Sequence, residues 1–501
     1  MNQITYSPES SSEKPLTEAP KLGRSDNIFV LLSFAVGFVF CEFILFGGFG
    51  VGVPLFFLVF YTIAGIYLSR KHNIFTKTSL ISFVPVFLLL LCFAVFDNAL
   101  LRGLNVIALW ICTMLNLLAM AGLENRPMFW ACTWYDILRA TFYLPLHELS
   151  KRIAAFAESF KSDRRKNFVI VLLTLLAISP VAALVLVLLS NSDSGFASLM
   201  NGFNKLISAQ LGSAIWKIIV SLLITFPIFN LLYALKHKTR PANHPLEGFV
   251  SQLGCIKALV TVSALNLFSM IYLIYISLQI NYVFSAIRGV LPSSFTYAEY
   301  ARRGFFELVA VAFINFCLIA FAVLLTKREN GRLIKSCRIS TFILAFCTLV
   351  IIIAAASKMV MYMQNYGLTP MRIYTSWFMV LLGVLTLFTL IKMIIPTFSF
   401  YKFAAVGAIS LYLMLNLANV DCLIAKYNIN LYRQSGKLDT NVFYELSDSA
   451  IPEIAVLKND PNYGKQISDM IKNRESGIKN IKWQDFSFSE LALRQESDHI
   501  K

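Results

Sequence analysis

Apolar runs of about twenty residues recur through most of this 501-residue chain, and no other feature restricts its fold as tightly. A run of that length crosses a bilayer as a helix, because hydrocarbon leaves every backbone N–H and C=O to be satisfied within the segment. Read in order, the runs fall at roughly 27–46, 51–69, 77–96, 103–123, 167–189, 213–235, 253–278, 303–326, 337–357, 373–395 and 401–420. A 57% hydrophobic, 14% charged composition with mean hydropathy +0.66 agrees, being too apolar for a water-soluble chain. The expected fold class is all-α: a polytopic integral membrane protein with about eleven transmembrane helices (10–12) and a small, mainly helical extracytoplasmic C-terminal tail domain.

The polar stretches divide the chain. Residues 1–26, rich in Ser, Glu, Pro and Lys, read as a disordered cytoplasmic tail. A four-span part, 27–123, precedes a cytoplasmic segment at 124–166 whose Phe129, Trp130, Trp134, Ile137, Leu138 and Phe142 suit a helix lying in the membrane interface or packed beneath the bundle. Seven spans follow over 167–420, and 421–501 is the polar tail, with short helices expected at 440–447, 449–458, 462–474 and 488–497. Ser487 and Glu490 form a capping box at the last of these. The link GGFGVGVP at 47–54 is a tight hairpin or an unwound segment. Its glycines lack the preceding strand that a nucleotide loop requires.

A net charge of +16 does not point to nucleic acid, because the basic residues sit in short loops between spans. Lys and Arg concentrate in the loops that are inside if the N-terminus is inside. Eleven spans then put the C-terminus outside, in a cell membrane. The lipid bilayer is the expected partner, together with a membrane or envelope protein; the substrate is not legible. No CxxC pair, HExxH, GxSxG or Walker pattern occurs, and the two histidines of HKTRPANHP at 237–245 lack metal spacing. No cofactor, metal site or catalytic residue is expected.

Polar side chains beside the spans carry what functional signal there is. The densest stretch is 292–307, PSSFTYAEYARRGFFE. Thr296 and Glu299 form a capping box with Phe295 and Tyr300 as its staple, and Glu299, Arg303 and Glu307 follow at intervals of four on one helix face. With Glu42, Asp97 and Asp421 these residues make a candidate polar cluster in the outer half of the membrane, where charge is expensive and marks function. The plain alternative is a set of hydrated interface charges. Segment 279–302 is too polar to span and is expected at the outer interface, amphipathic or re-entrant.

The stretch FTYAEYARRGFFELVAVAFINF at 295–316, the segment from Asn419 (NVDCLIAKYNI) through Leu438 and Asp439 to LSDSAIPEI at 446–454, and the closing Trp483-Gln484-Asp485-Phe486-Ser487 together resemble an uncharacterised multi-pass membrane family, domain of unknown function 4173 (DUF4173). The resemblance implies a bacterial cytoplasmic membrane protein and supplies no activity or catalytic residue. Two functions compete. The favoured one is a non-enzymatic envelope transporter, signalling or scaffold component. The other is a membrane-embedded enzyme acting on a lipid-linked substrate, with an outer-face carboxylate such as Glu42, Asp97 or Glu307 as acid or base.

Overall fold

The structure, a computed structural model, describes residues 22–123, 133–158, 162–192, 195–196, 209–237, 256–287, 305–326, 331–478 and 481–498. Among these residues there are helices and turns but no strand. The first helices are α1 (Arg24–Phe40, continued by a π turn at Cys41–Leu45), α2 (Gly52–Ser69), α3 (Lys77–Val95) and α4 (Ala99–Ala121). Then come α5 (Thr133–Leu138), α6 (Leu149–Glu158), α7 (Asp163–Ser192), α8 (Ala209–Lys236), α9 (Ala258–Ile287) and α10 (Phe305–Leu325). The chain closes with α11 (Gly331–Tyr366), α12 (Pro370–Ile394), α13 (Phe400–Leu417), α14 (Val420–Ser435), α15 (Asn441–Glu445), α16 (Gly464–Ile478) and α17 (Phe488–Asp498).

Nine helices among the described residues are long and apolar enough to cross a membrane. They coincide with nine of the eleven expected spans. The other two positions are occupied by α7 and by α10, whose described apolar stretch Glu307–Val323 is shorter. Large apolar side chains such as Leu58, Ile81 and Met414 remain more than 60% exposed on the spans, as lipid-facing positions do.

The chain divides into two contact units. The first comprises α1, α2 from Phe56, α6, α7 and α8. Gly37 lets α1 close on α8, since a Cβ there would meet the Ser221 carbonyl oxygen at 2.6 Å. Phe29 stacks on Tyr67 with centroids 3.7 Å apart. Residues 22–26, expected in the tail, begin a helix instead. Asp26 is buried with Lys236, Nζ to Oδ1 2.6 Å, and Tyr67 donates to the same oxygen at 2.9 Å.

The second unit holds the loop 47–55, α3, α4, α5 up to Ile137, and everything from α9 onward. Its membrane core forms where α11 packs against α9, α10 and α12, with Leu344, Ala345, Cys347 and Ile351 fully buried. Asn116 of α4 donates to the Ser79 carbonyl and to Ser82 Oγ of α3, at 2.8 and 2.9 Å. Past the last span, the helices from α14 to α17 make a head around Phe443, Ile451, Ile454, Ile471 and Leu493. Leu101 of α4 and Leu415 of α13 join this core, so the head is seated on the ends of the spans. The short helices expected in the tail are present with shifted ends. Helix α14 is an addition: it begins after one turn beyond α13, in residues expected to open the polar tail.

Two expectations change in detail. The helix α9 carries on to Ile287, through the first part of the segment expected at the interface; 288–304, including the Thr296 cap, lie outside the described residues. The glycine-rich link, expected as a tight hairpin or an unwound segment, is a non-helical turn between α1 and α2 and also a seat for the C-terminal segment. Gly48 N–H donates to Asp485 Oδ1, Val51 N–H donates to the Phe486 carbonyl at 2.8 Å, and a Cβ on Gly50 would sit 2.3 Å from the Asp485 backbone. Glycine is needed there because two backbones touch.

Candidate functional site

The strongest concentration of polar groups in the second unit lies where α3 ends, α4 and α14 begin, and the head docks. Helix α3 stops at Phe96, which is extended, and Asn98 starts α4 as its N-cap, accepting from Leu101 N–H at 3.0 Å. With its oxygen used in the cap, Asn98 turns its amide outward. It donates to Asp421 Oδ2 at 2.8 Å and to the Tyr374 hydroxyl of α12 at 2.9 Å. Asp421 stands on the first turn of α14 because Asn419, at φ +43°, breaks the chain direction after α13 and caps the new helix. It is 2% exposed, and its Oδ2 also accepts from the Ser447 backbone N–H at 3.1 Å. One carboxylate thus ties a span start to the head.

A second tie runs beside it. Asp97 Oδ2 accepts from the Asp448 backbone N–H at 2.8 Å, and the Asp448 side chain accepts from Arg474 Nη1 of α16 at 3.1 Å. Burial, followed by the neighbouring Asp97 charge, pushes the Asp448 carboxyl above its ordinary range, while Arg474 and Arg102 pull it back. Glu490 is 4% exposed and burial raises it likewise; it accepts from the Ser487 side chain and backbone, the contact expected of the capping box. Arg102 of α4 donates from Nε to the Phe96 carbonyl at 3.1 Å and feels Asp97, Glu490, Asp448 and Asp485.

Beside the Asn98–Asp421 tie is a small cavity with room for about one water molecule, lined by Asn98, Arg102, Asn105, Asn416, Asn419 and Asp421 among others, and not by Asp97, Asp448 or Glu490. Its membrane end is closed by Asn105 donating to Asn416 Oδ1 at 2.7 Å, with the Tyr412 hydroxyl donating to Asn105 at 2.6 Å. Four buried atoms around the node have no hydrogen-bond partner: Asp97 Oδ1, Asp421 Oδ1, Glu490 Oε2 and Arg102 Nη2. Orphaned polar atoms are expensive, so a node with four of them is arranged for something besides internal bonding. No group of three His, Cys, Asp or Glu suited to a metal occurs among the described residues.

Of the residues nominated from the sequence, Asp97 and Asp421 come together here. Glu42 belongs to the first unit, where the π turn presents it to Lys217, Nζ to Oε2 2.5 Å. Glu307 is exposed on the first turn of α10, within electrostatic reach of Lys358 of α11. Glu299 and Arg303 lie outside the described residues. The sequence reading missed Asn98, Arg102, Asp448 and Arg474, and took Glu490 only as part of a helix cap. Arg102 carried one signal, a lone cation in the first turn of a span.

No curated protein and no solved structure matches the chain. A family model described as Domain of unknown function (DUF4153) matches residues 83–457, a stretch that includes Asp97, Asn98, Arg102, Asp421 and Asp448 and stops before Arg474 and Glu490. The resemblance to DUF4173 is corrected accordingly, to a similar but different family. The match covers more than half of the sequence, and the chain therefore belongs to the DUF4153 family.

Proposed function

We propose that the chain is a non-enzymatic component of a cell envelope, a signalling or scaffold protein whose helical head is held on the span ends by the Asp97–Asn98–Asp421–Asp448 node. The observation that carries this reading is the double tie made by Asp421, to Asn98 at the start of α4 and to Ser447 N–H in the head. Such a joint passes a change in span position to the head, or the reverse, because both partners hold one carboxylate. The competing enzymatic reading would use the same carboxylates. Against it stands the cavity, which admits about one water and not a lipid-linked substrate.

The test is a distance measurement between spin labels at exposed Met371, in the first turn of α12, and exposed Val456 in the head, in bilayers. A narrow distribution that broadens in Asp421→Ala supports the joint. A distribution untouched by Asp421→Ala, or lipid-linked transfer by purified protein that Asp97→Asn abolishes, refutes the reading.

A further inference from the structure

The joint has a charge imbalance that hydrogen bonding leaves unresolved. Asp97 comes from the link before α4, Asp421 from α14, Asp448 from the head, Asp485 from the turn before α17, and Glu490 from α17 itself. Facing these carboxylates, among the described residues, are the guanidiniums of Arg102 on α4 and Arg474 on α16. Asp485 is partly engaged by Gly48 N–H and Asp448 by Arg474. Asp97, Asp421 and Glu490 each keep one buried oxygen with no donor, and the last two side chains are 2% and 4% exposed. An ionised carboxylate in such a place is costly unless a counter-charge or a proton neutralises it.

We propose that this node is a proton-binding site, so that seating of the head is coupled to uptake of a proton by Asp448 or Glu490. The proposal rests on the joint described above and assigns its regulation. Arg102, which faces both Asp448 and Glu490, also lines the water-sized cavity beside Asp421, so a water can stand next to the group. Asp97 accepts the Asp448 backbone N–H, and its charge is second only to burial in raising Asp448. Asp448 and Glu490 are both raised in the seated state. For an acid raised on seating, the stabilisation is full below the free value and is lost as pH rises through the seated value. Acid therefore seats the head and alkali loosens it. One proton changes the seating equilibrium by up to about tenfold per pH unit within that window.

The experiment follows the Met371–Val456 label pair in bilayers from pH 4 to pH 9, in the wild type, Glu490→Gln and Asp448→Asn. The expected wild-type result is a seated population that falls as pH rises, with the fall shallower or absent in Glu490→Gln. Asp448→Asn, which also loses its Arg474 ion pair, is expected to flatten the profile around a lower seated population. Asp97→Asn keeps a hydrogen-bond acceptor and serves where either variant fails to fold. A wild-type profile flat in pH overturns the proton site while leaving the joint intact. A profile as steep in all three variants as in the wild type overturns it too. A dependence on sodium in place of pH assigns a cation and overturns it equally. A head that is unseated at every pH refutes the joint itself.

Discussion

At the scale of single residues, two contacts carry consequences out of proportion to their size. Gly50 lies against the Asp485 backbone, where even a methyl group would overlap at 2.3 Å. Gly50→Ala must push the 483–486 segment off the loop and break the Val51–Phe486 hydrogen bond. Overpacking of this kind costs about 1–3 kcal/mol. It should lower the thermal midpoint and speed protease cleavage near the exposed Trp483; an unchanged midpoint and cleavage rate would show that the glycine is not needed for close approach. Asp26 and Lys236 are the second case, both less than 10% exposed and 2.6 Å apart. Removing one partner strands the other at a cost of about 3–5 kcal/mol, so Lys236→Met should destabilise strongly and Asp26→Asn, which can still accept from Tyr67, less so. The double variant should be milder than the sum of the two, and strict additivity would show that the pair is not coupled.

At the scale of elements, the decisive one is α14. It exists as a separate helix because Asn419 adopts a left-handed conformation that few residues besides Gly and Asn tolerate, and because its side chain then caps the new first turn at Cys422 N–H. Asn419 Oδ1 also accepts from Ser449 Oγ at 2.9 Å, so the cap and the head share one atom. Asn419→Gly keeps the turn and should cost a few tenths of a kcal/mol for the cap, plus the Ser449 bond. Asn419→Ala loses the cap, the bond and the conformational ease, and should cost about 2 kcal/mol or more by chemical denaturation. If the two variants unfold alike, the left-handed turn is not what sets the direction of α14. Helix α5 and the turns that follow it are two-sided, with Trp134, Leu138, Phe142 and Leu146 all more than 40% exposed and Arg139, Ala140 and Leu144 buried.

At the scale of the whole molecule, the seating of the head decides which groups meet, and the orientation of the spans decides which side of the membrane they meet on. The Lys and Arg distribution leads to the expectation of an N-terminus inside and a head outside. Val456 is 56% exposed and its side chain is apolar, so Val456→Cys reports orientation without removing a hydrogen bond of the joint. An impermeant thiol reagent added to intact cells should label it, while protection until lysis would reverse the topology.

The sequence by itself determined the helical class and the positions of the nine long apolar helices among the described residues. Hydropathy over about twenty residues is a local property, and the bilayer requirement acts on each segment separately. It also nominated Asp97 and Asp421, since a carboxylate at a span end is conspicuous wherever it later points. What it could not reach was the pairing. Asn98 meets Asp421 across 323 positions and Asp97 meets the Asp448 amide across 351. Such distant contacts follow from how α4, α14 and the head pack, and no periodicity in the sequence encodes them. The same reason hides the partner of Glu42, which the π turn gives to Lys217 across 175 positions. It also explains the glycines of 47–54, whose purpose becomes visible only when a segment more than four hundred residues away comes to rest on them.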